Sequence, residues 1–264
     1  MAVGVRVVSY NIHSGIGTDR RHDVKRIADV ISDCHADIIG LQEVDVGRKR
    51  TGFSDQAHEI GERLGMTVHF HPALEVDDER YGDAILTKAP SRLVKAGPLP
   101  GLRHKPRLEP RGAIWVEVAT GSGQLQVINT HFGLDRRERL AQVEALLGTG
   151  WLGSPRCVDP VLLIGDFNAL PRSLAYRRLA ESLADARLTL GPRRGQATFP
   201  SRFPLLRLDH AFSRGPINIR AVEVVRTPLA RIASDHLPLV VDLDLVDAPP
   251  TPRTATPLVG EVIG

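Results

Sequence analysis

The 264 residues are 42% hydrophobic and 25% charged, the balance of a soluble chain able to bury a sizeable core. A net charge of only +3 suits an anionic substrate and is too weak to demand nucleic acid as the partner. No apolar run reaches the ~20 residues needed to cross a bilayer and no leader pattern precedes the first strand, so a cytoplasmic protein is expected.

The first predicted strand is VRVVSYNI, Val5 to Ile12, rich in β-branched residues and followed by the glycine-containing loop HSGIG. Val24, Ile27, Ala28, Ile31 and Cys34 then recur at helical spacing, one apolar stripe. That stripe makes Cys34 a buried, reduced thiol, and neither it nor Cys157 has zinc-like spacing. DIIGLQEV, Asp37 to Val44, reads as a second buried strand with Glu43 near its end. A helix is expected over Ser54 to Leu64, with Ser54 as N-cap and Gly65 as its stop, and then a short strand over Thr67 to His71.

YGDAILTK, SRLVKAG and GAIWVEVA are three further strands. The loop LPGLRHKPRLEPR between the last two holds Arg103, Lys105, Arg107 and Arg111, and apart from Arg111 it reads as a solvated loop. TGSG marks a hairpin turn into QLQVINTHF, which ends in Asn129, Thr130 and His131. Asp135 and Glu138 form a capping-box pattern, with Leu140, Val143 and Leu147 as the helix stripe behind it. VLLIGDFNALP, Val161 to Pro171, is a buried strand whose end carries Asp166 and Asn168, residue types that also favour a simple turn. A helix over Ser173 to Leu183 and a Gly-, Pro- and Arg-rich loop over Leu188 to Leu206 follow. The strands RLDHAFS and INIRAVEVVRT come next, and ASDHLPLVVDLDL begins as a loop and closes as a strand. The Pro- and Thr-dense tail, 248–264, is expected to be disordered, leaving one domain over 1–247. About ten strands in consecutive runs argue against a doubly wound parallel sheet. They fit two packed mixed sheets with helices on the outer faces, an α/β (α+β) fold.

Asn11, Glu43, His131, Asp166, Asn168, Asp209, Asp235 and His236 all end or adjoin apolar runs. Carboxylates and carboxamides are hard oxygen ligands of the kind that suit Mg²⁺ or Mn²⁺. Histidines beside them are better used on a proton or a phosphate oxygen. The set describes metal-assisted attack of water on phosphorus.

In order, SYNIHSG, GLQEV, YGDAILT, EPRG, NTHF, GDFNALP, LDHAF and SDHLP resemble the motifs of the endonuclease/exonuclease/phosphatase superfamily, from Ser9 to Pro238. That superfamily spans DNase I, repair nucleases, sphingomyelinases, inositol polyphosphate phosphatases and deadenylases. The resemblance implies a DNase I-like four-layer αββα sandwich with the site at one rim of the paired sheets. It also implies Glu43 as principal metal ligand, with Asn11 on metal or phosphate beside it and Asp235 in contact with the metal or with one of its ligands. Asp166 and Asn168 match the pair that position the attacking water and the phosphoryl oxygens. His236 matches a base or a stabiliser of the phosphorane-like transition state, and Asp209 the carboxylate that orients it. His131 matches the second histidine, assigned to leaving-group protonation or to transition-state stabilisation.

Arg111 and Tyr81 are expected on the substrate phosphate. Asp83 stands where a carboxylate supports the second histidine in the DNase I-like branch, so it reads either as the group orienting His131 or as a surface turn aspartate. His13 replaces an aspartate of the repair nucleases and reads as a loop histidine, and His210 should face away from Asp209 along its strand. The expected function is Mg²⁺-dependent hydrolysis of a phosphate ester, with a non-catalytic binding relative as the alternative from another class. A nuclease and a phosphatase of lipid headgroups or inositol phosphates are both compatible with the arginine-bearing loops. No amphipathic membrane anchor stands out in the sequence.

Overall fold

The computed structural model describes residues 4–191 and 197–246, so the expectation for the 248–264 tail lies outside the described residues. The first sheet takes β1 (Gly4–Asn11), β2 (Ile38–Val46), β3 (Thr67–Val76), β4 (Glu79–Thr87), β11 (Ile217–Val224) and β12 (Leu239–Leu245). The second takes β5 (Ser91–Pro98), β6 (Gly112–Thr120), β7 (Gly123–His131), β8 (Val161–Asp166), β9 (Ala184–Asp185) and β10 (Asp209–Arg214). Their orders are β11-β12-β1-β2-β4-β3 and β5-β6-β7-β8-β10-β9. Each sheet has one parallel pair, β1 with β2 and β7 with β8. A parallel pair needs a long crossover, supplied by α1 (Val24–Ser32) and by α3 (Arg136–Leu147). The sheets are mixed, and the sandwich reading holds.

Alternation along the strands builds three cores. Val8 and Tyr10 of β1 face outward onto α1 and α2 (Gln56–Leu64), while Val5 and Val7 face the second sheet. In β8, Leu162 and Ile164 face the first sheet, while Val161 and Leu163 meet the apolar cluster that includes α3 and α4 (Leu174–Ala180). Three apolar layers between four layers of secondary structure is the αββα sandwich.

Several expectations are corrected. Twelve strands form among the described residues, the unexpected one being the two-residue β9 at the second sheet's edge, and β3 runs on to Val76. Helix α2 is capped by Asp55, whose side chain accepts from the His58 N–H, and Ser54 instead donates to Glu59. In α3 the Asp135 cap is present, but the buried face is Gln142, Val143 and Leu146 with Glu138; Leu140 and Leu147 lie at its margins. Helix α4 stops at Ala180, three residues early, and the four-residue α5 (Ala230–Ala233) forms where no element was expected. No helix of the described residues is long and apolar enough to cross a membrane.

The same alternation places the site. Leu125 and Val127 of β7, Ile164 of β8 and Ile85 of β4 face the space between the sheets. Two and four residues on toward one rim, that stripe turns polar as Asn129, His131, Asp166 and Asp83. Asn129 bridges the sheets there: its amide donates to the Leu41 and Ala84 carbonyls at 2.8 and 3.0 Å, and its oxygen accepts from Gln42 at 2.6 Å. Gly165 is required at this point. Its φ is +148°, and a Cβ would stand 1.9 Å from the Thr130 carbonyl oxygen.

Candidate active site

Asn11, at the end of β1, holds two carboxylates together. Its Nδ2 donates to Glu43 Oε1 and to Asp166 Oδ2, both at 3.0 Å. Simple alternation would turn Glu43 outward with its neighbour Leu41. A break in the β2–β4 register between Leu41 and Val44, with Glu43 at φ +59°, turns it into the site instead. Burial pushes the Glu43 carboxyl up, the Asn11 bond pulls it back, and nearby Asp235 pushes it up again. Asp235 itself is half-exposed and stands 3.9 Å from His13 Nδ1.

Asp166 sits at the centre. Its Oδ1 accepts from the Asn168 backbone N–H at 2.9 Å, and its Oδ2 lies 3.5 Å from Nε2 of both His131 and His236. Burial raises its pKa, against the pull of His236, because a carboxylate deprived of water is costly. His236 Nδ1 is 2.9 Å from Asp209 Oδ2, which also accepts from Thr198 Oγ1, and the Phe199 ring tilts over the imidazole at 4.9 Å. Burial alone would lower the His236 pKa, but Asp209 and then Asp166 outweigh it, so the ring is an imidazolium at neutral pH.

His131 is the opposite case. Burial, then Arg111, then His236 hold it well below the usual range, so it is neutral. Arg111 Nη1 lies 2.9 Å from His131 Nδ1 and can only donate, which leaves the ring proton on Nε2. Asn168, at φ +46°, donates through Nδ2 to the Phe132 carbonyl at 2.9 Å and brings that nitrogen within 3.1 Å of His131 Nε2. Two N–H donors therefore meet beside Asp166, an arrangement that favours an acceptor oxygen within reach of both.

The structure thus gathers Asn11, Glu43, His131, Asp166, Asn168, Asp209, Asp235 and His236 at one rim. Asp83 departs from both readings made of it. It is buried in β4 and so is no surface turn, and it makes no hydrogen bond to His131. Its carboxyl lies well above the usual range through burial, opposed by Arg111. Arg111 holds His131 in its place, pairs with Glu109 at 2.7 Å and lies 3.5 Å from the Tyr81 hydroxyl. His13 opens the short 3-10 turn His13–Gly15 rather than lying in open loop, its ring bonded to the Ile16 carbonyl, and His210 faces away, its Nε2 on the Ala169 carbonyl at 2.7 Å.

Thr198, Phe199 and Ser234 support the site without having been singled out. Ser234 Oγ donates to the Asn11 carbonyl at 2.8 Å, tying the His236 loop to β1. The SDH motif contains Ser234, whereas nothing local marks Thr198.

Asp166, Asp209 and His236 bring three ligand-type atoms within 4.8 Å and could hold a metal. Asp209 and the His236 ring already bond each other, however, so that pair is better employed on a proton. Glu43 and Asp235 offer hard oxygen donors, and the mutual repulsion of the two carboxylates is what a divalent cation relieves; Asn11 turns its Nδ2 to Glu43, with its Oδ1 taken by the His13 N–H, and so positions that carboxylate. These residues fit such an ion.

Residues 8–236 match the Endonuclease/Exonuclease/phosphatase family. The chain belongs to this family. Family members hydrolyse phosphoester bonds, as nucleases and phosphatases do. The chain is 26% identical over 254 residues to an uncharacterized Escherichia coli protein, YbhP, with 91% of this chain and 96% of that one covered. An endonuclease/exonuclease/phosphatase from Beutenbergia cavernae superposes with a TM-score of 0.72 at 24% identity, over 94% of this chain and 73% of that one. The human Nocturnin catalytic domain, solved with a bound sulfate anion, gives 0.71 at 24% identity over 93% and 97%. These likenesses establish the DNase I-like sandwich for this family member.

Proposed function

We propose that this protein hydrolyses a phosphodiester or phosphomonoester by attack of water on phosphorus, with Mg²⁺ as cofactor and Mn²⁺ as a substitute. The observation carrying this reading is the pair of converging donors, Asn168 Nδ2 and His131 Nε2, beside the basic carboxylate of Asp166. An anionic oxygen within reach of both donors satisfies them, and that is what a phosphoryl group presents. Asp166 orients the attacking water and accepts its proton, a task that its raised pKa favours. The His236 imidazolium, kept charged by Asp209, faces the negative charge that grows on phosphorus. The neutral His131 ring donates a hydrogen bond from Nε2 to a phosphoryl oxygen, and Arg111, on its Nδ1 with Tyr81 beside it, holds the ring in that tautomer.

Glu43 and Asp235 would hold the metal ion, with Asn11 orienting Glu43, and the ion's chemistry is charge neutralisation at phosphate oxygens and a lowered pKa of bound water. A cytoplasmic location belongs to the same reading, supported by two free, buried thiols.

The test is turnover of bis-p-nitrophenyl phosphate with Mg²⁺, Mn²⁺ or EDTA. Asp166→Asn and His236→Ala should each abolish turnover while leaving the circular dichroism spectrum unchanged. Full activity in both variants, or activity that survives EDTA, would refute the assignment.

A further inference from the structure

The exposed apolar side chains are unevenly placed. Of the fourteen large hydrophobic side chains exposed among the described residues, most lie on or border the connections at the catalytic rim. Phe53 follows β2, Leu134 follows β7, Leu170 and Leu174 follow β8, and Phe203 and Leu205 precede β10. Leu134, Phe203 and Leu205 are 72%, 77% and 79% exposed, values that leave these side chains almost wholly in water. Monomeric proteins rarely gather apolar side chains at one end unless that end meets something.

Cations are interleaved with them. Arg103, Arg107, Arg136, Arg137 and Arg172, on the same connections, are exposed and make no ion pair with the described residues. Between Lys105, the start of α3 and the start of α4 runs a groove of about 440 Å³ whose walls mix Arg136, Arg137 and Arg139 with Leu140 and Leu174. Asp135 on its wall is four residues from His131, so the groove begins within about 14 Å of the catalytic histidine along the chain.

We propose that the catalytic rim docks on an anionic lipid bilayer, so that the phosphoester acted on is in a lipid headgroup. Leucines at loop tips gain by entering hydrocarbon, while neighbouring arginines meet anionic headgroups, the division of labour of interfacial proteins. Single-stranded nucleic acid would favour aromatic platforms for base stacking, and most of the exposed rim residues are aliphatic. The substrate part of this inference rests on the phosphoesterase reading above; the docking part does not.

The experiment is vesicle co-sedimentation of the full chain with phosphatidylcholine alone and with phosphatidylcholine mixed with phosphatidylglycerol. Binding is expected to the anionic vesicles, to weaken in high salt, and to fall on the order of tenfold in Leu134→Ser and in the double variant Phe203→Ser, Leu205→Ser. Because these side chains are exposed, the variants should keep the wild-type melting curve and its turnover of bis-p-nitrophenyl phosphate. Equal affinity for both vesicle types, or vesicle binding unchanged in the variants, would overturn the docking. So would binding of single-stranded DNA in place of vesicles, or a dimer in light scattering that the serine variants dissociate. Docking without hydrolysis of any phosphoester would leave the surface standing and remove the phosphoesterase reading alone.

Discussion

His210 is wholly buried behind the GDFN turn, against the rings of Phe167 and Tyr176, and burial drives its pKa down to about 4 from an ordinary 6.5. In the unfolded chain the ring takes up a proton below about pH 6.5, which the folded chain refuses until about pH 4, so stability falls as pH drops across that window. The shift corresponds to about 3 kcal/mol in full, of which about 2 kcal/mol is lost between pH 7 and pH 5. His210→Gln keeps an N–H for the Ala169 carbonyl but cannot titrate. Urea unfolding near pH 7 and near pH 5 is the assay. The wild type should lose about 2 kcal/mol more than the variant between the two. Any packing change in the variant is common to both pH values and cancels in that comparison. Parallel losses in the two proteins would refute the claim that burial keeps this ring neutral.

Two further changes probe the charge arrangement. Asp185 is buried, and although burial raises its carboxyl, Arg207 at 2.6 Å and the Tyr176 hydroxyl bring it below the usual range. Arg207→Gln should therefore cost about 3–5 kcal/mol in a denaturant melt near neutral pH, since the carboxylate is left buried without its cation. A variant as stable as wild type would show that this pair contributes nothing. Asp209→Asn preserves a hydrogen-bonding side chain beside His236 but removes the charge that keeps it an imidazolium. Turnover of the soluble diester should drop on the order of 10²–10⁴-fold with KM little changed, and a rise in KM at constant kcat would count against the role.

The strands were legible because alternation is local. VRVVSYN shows both of its faces in seven residues, and the same period carried Asn11 and His131 inward with their apolar neighbours. Motif order then sufficed to collect the site residues, though not the contacts among them. Glu43 obeys no alternation, because the register break that turns it inward depends on β4 as a partner. Asp83 and Arg111 were placed by motif, but which of them meets His131 depends on how β4 and β7, strands of different sheets, come together. Asn11 binds Asp166 across 155 positions of chain, and no window of sequence spans that. Patterns of two to four residues determined which side chains face inward. Which donors converge, and which loops share a rim, was decided by packing one sheet on the other, where distance along the chain no longer measures distance in space.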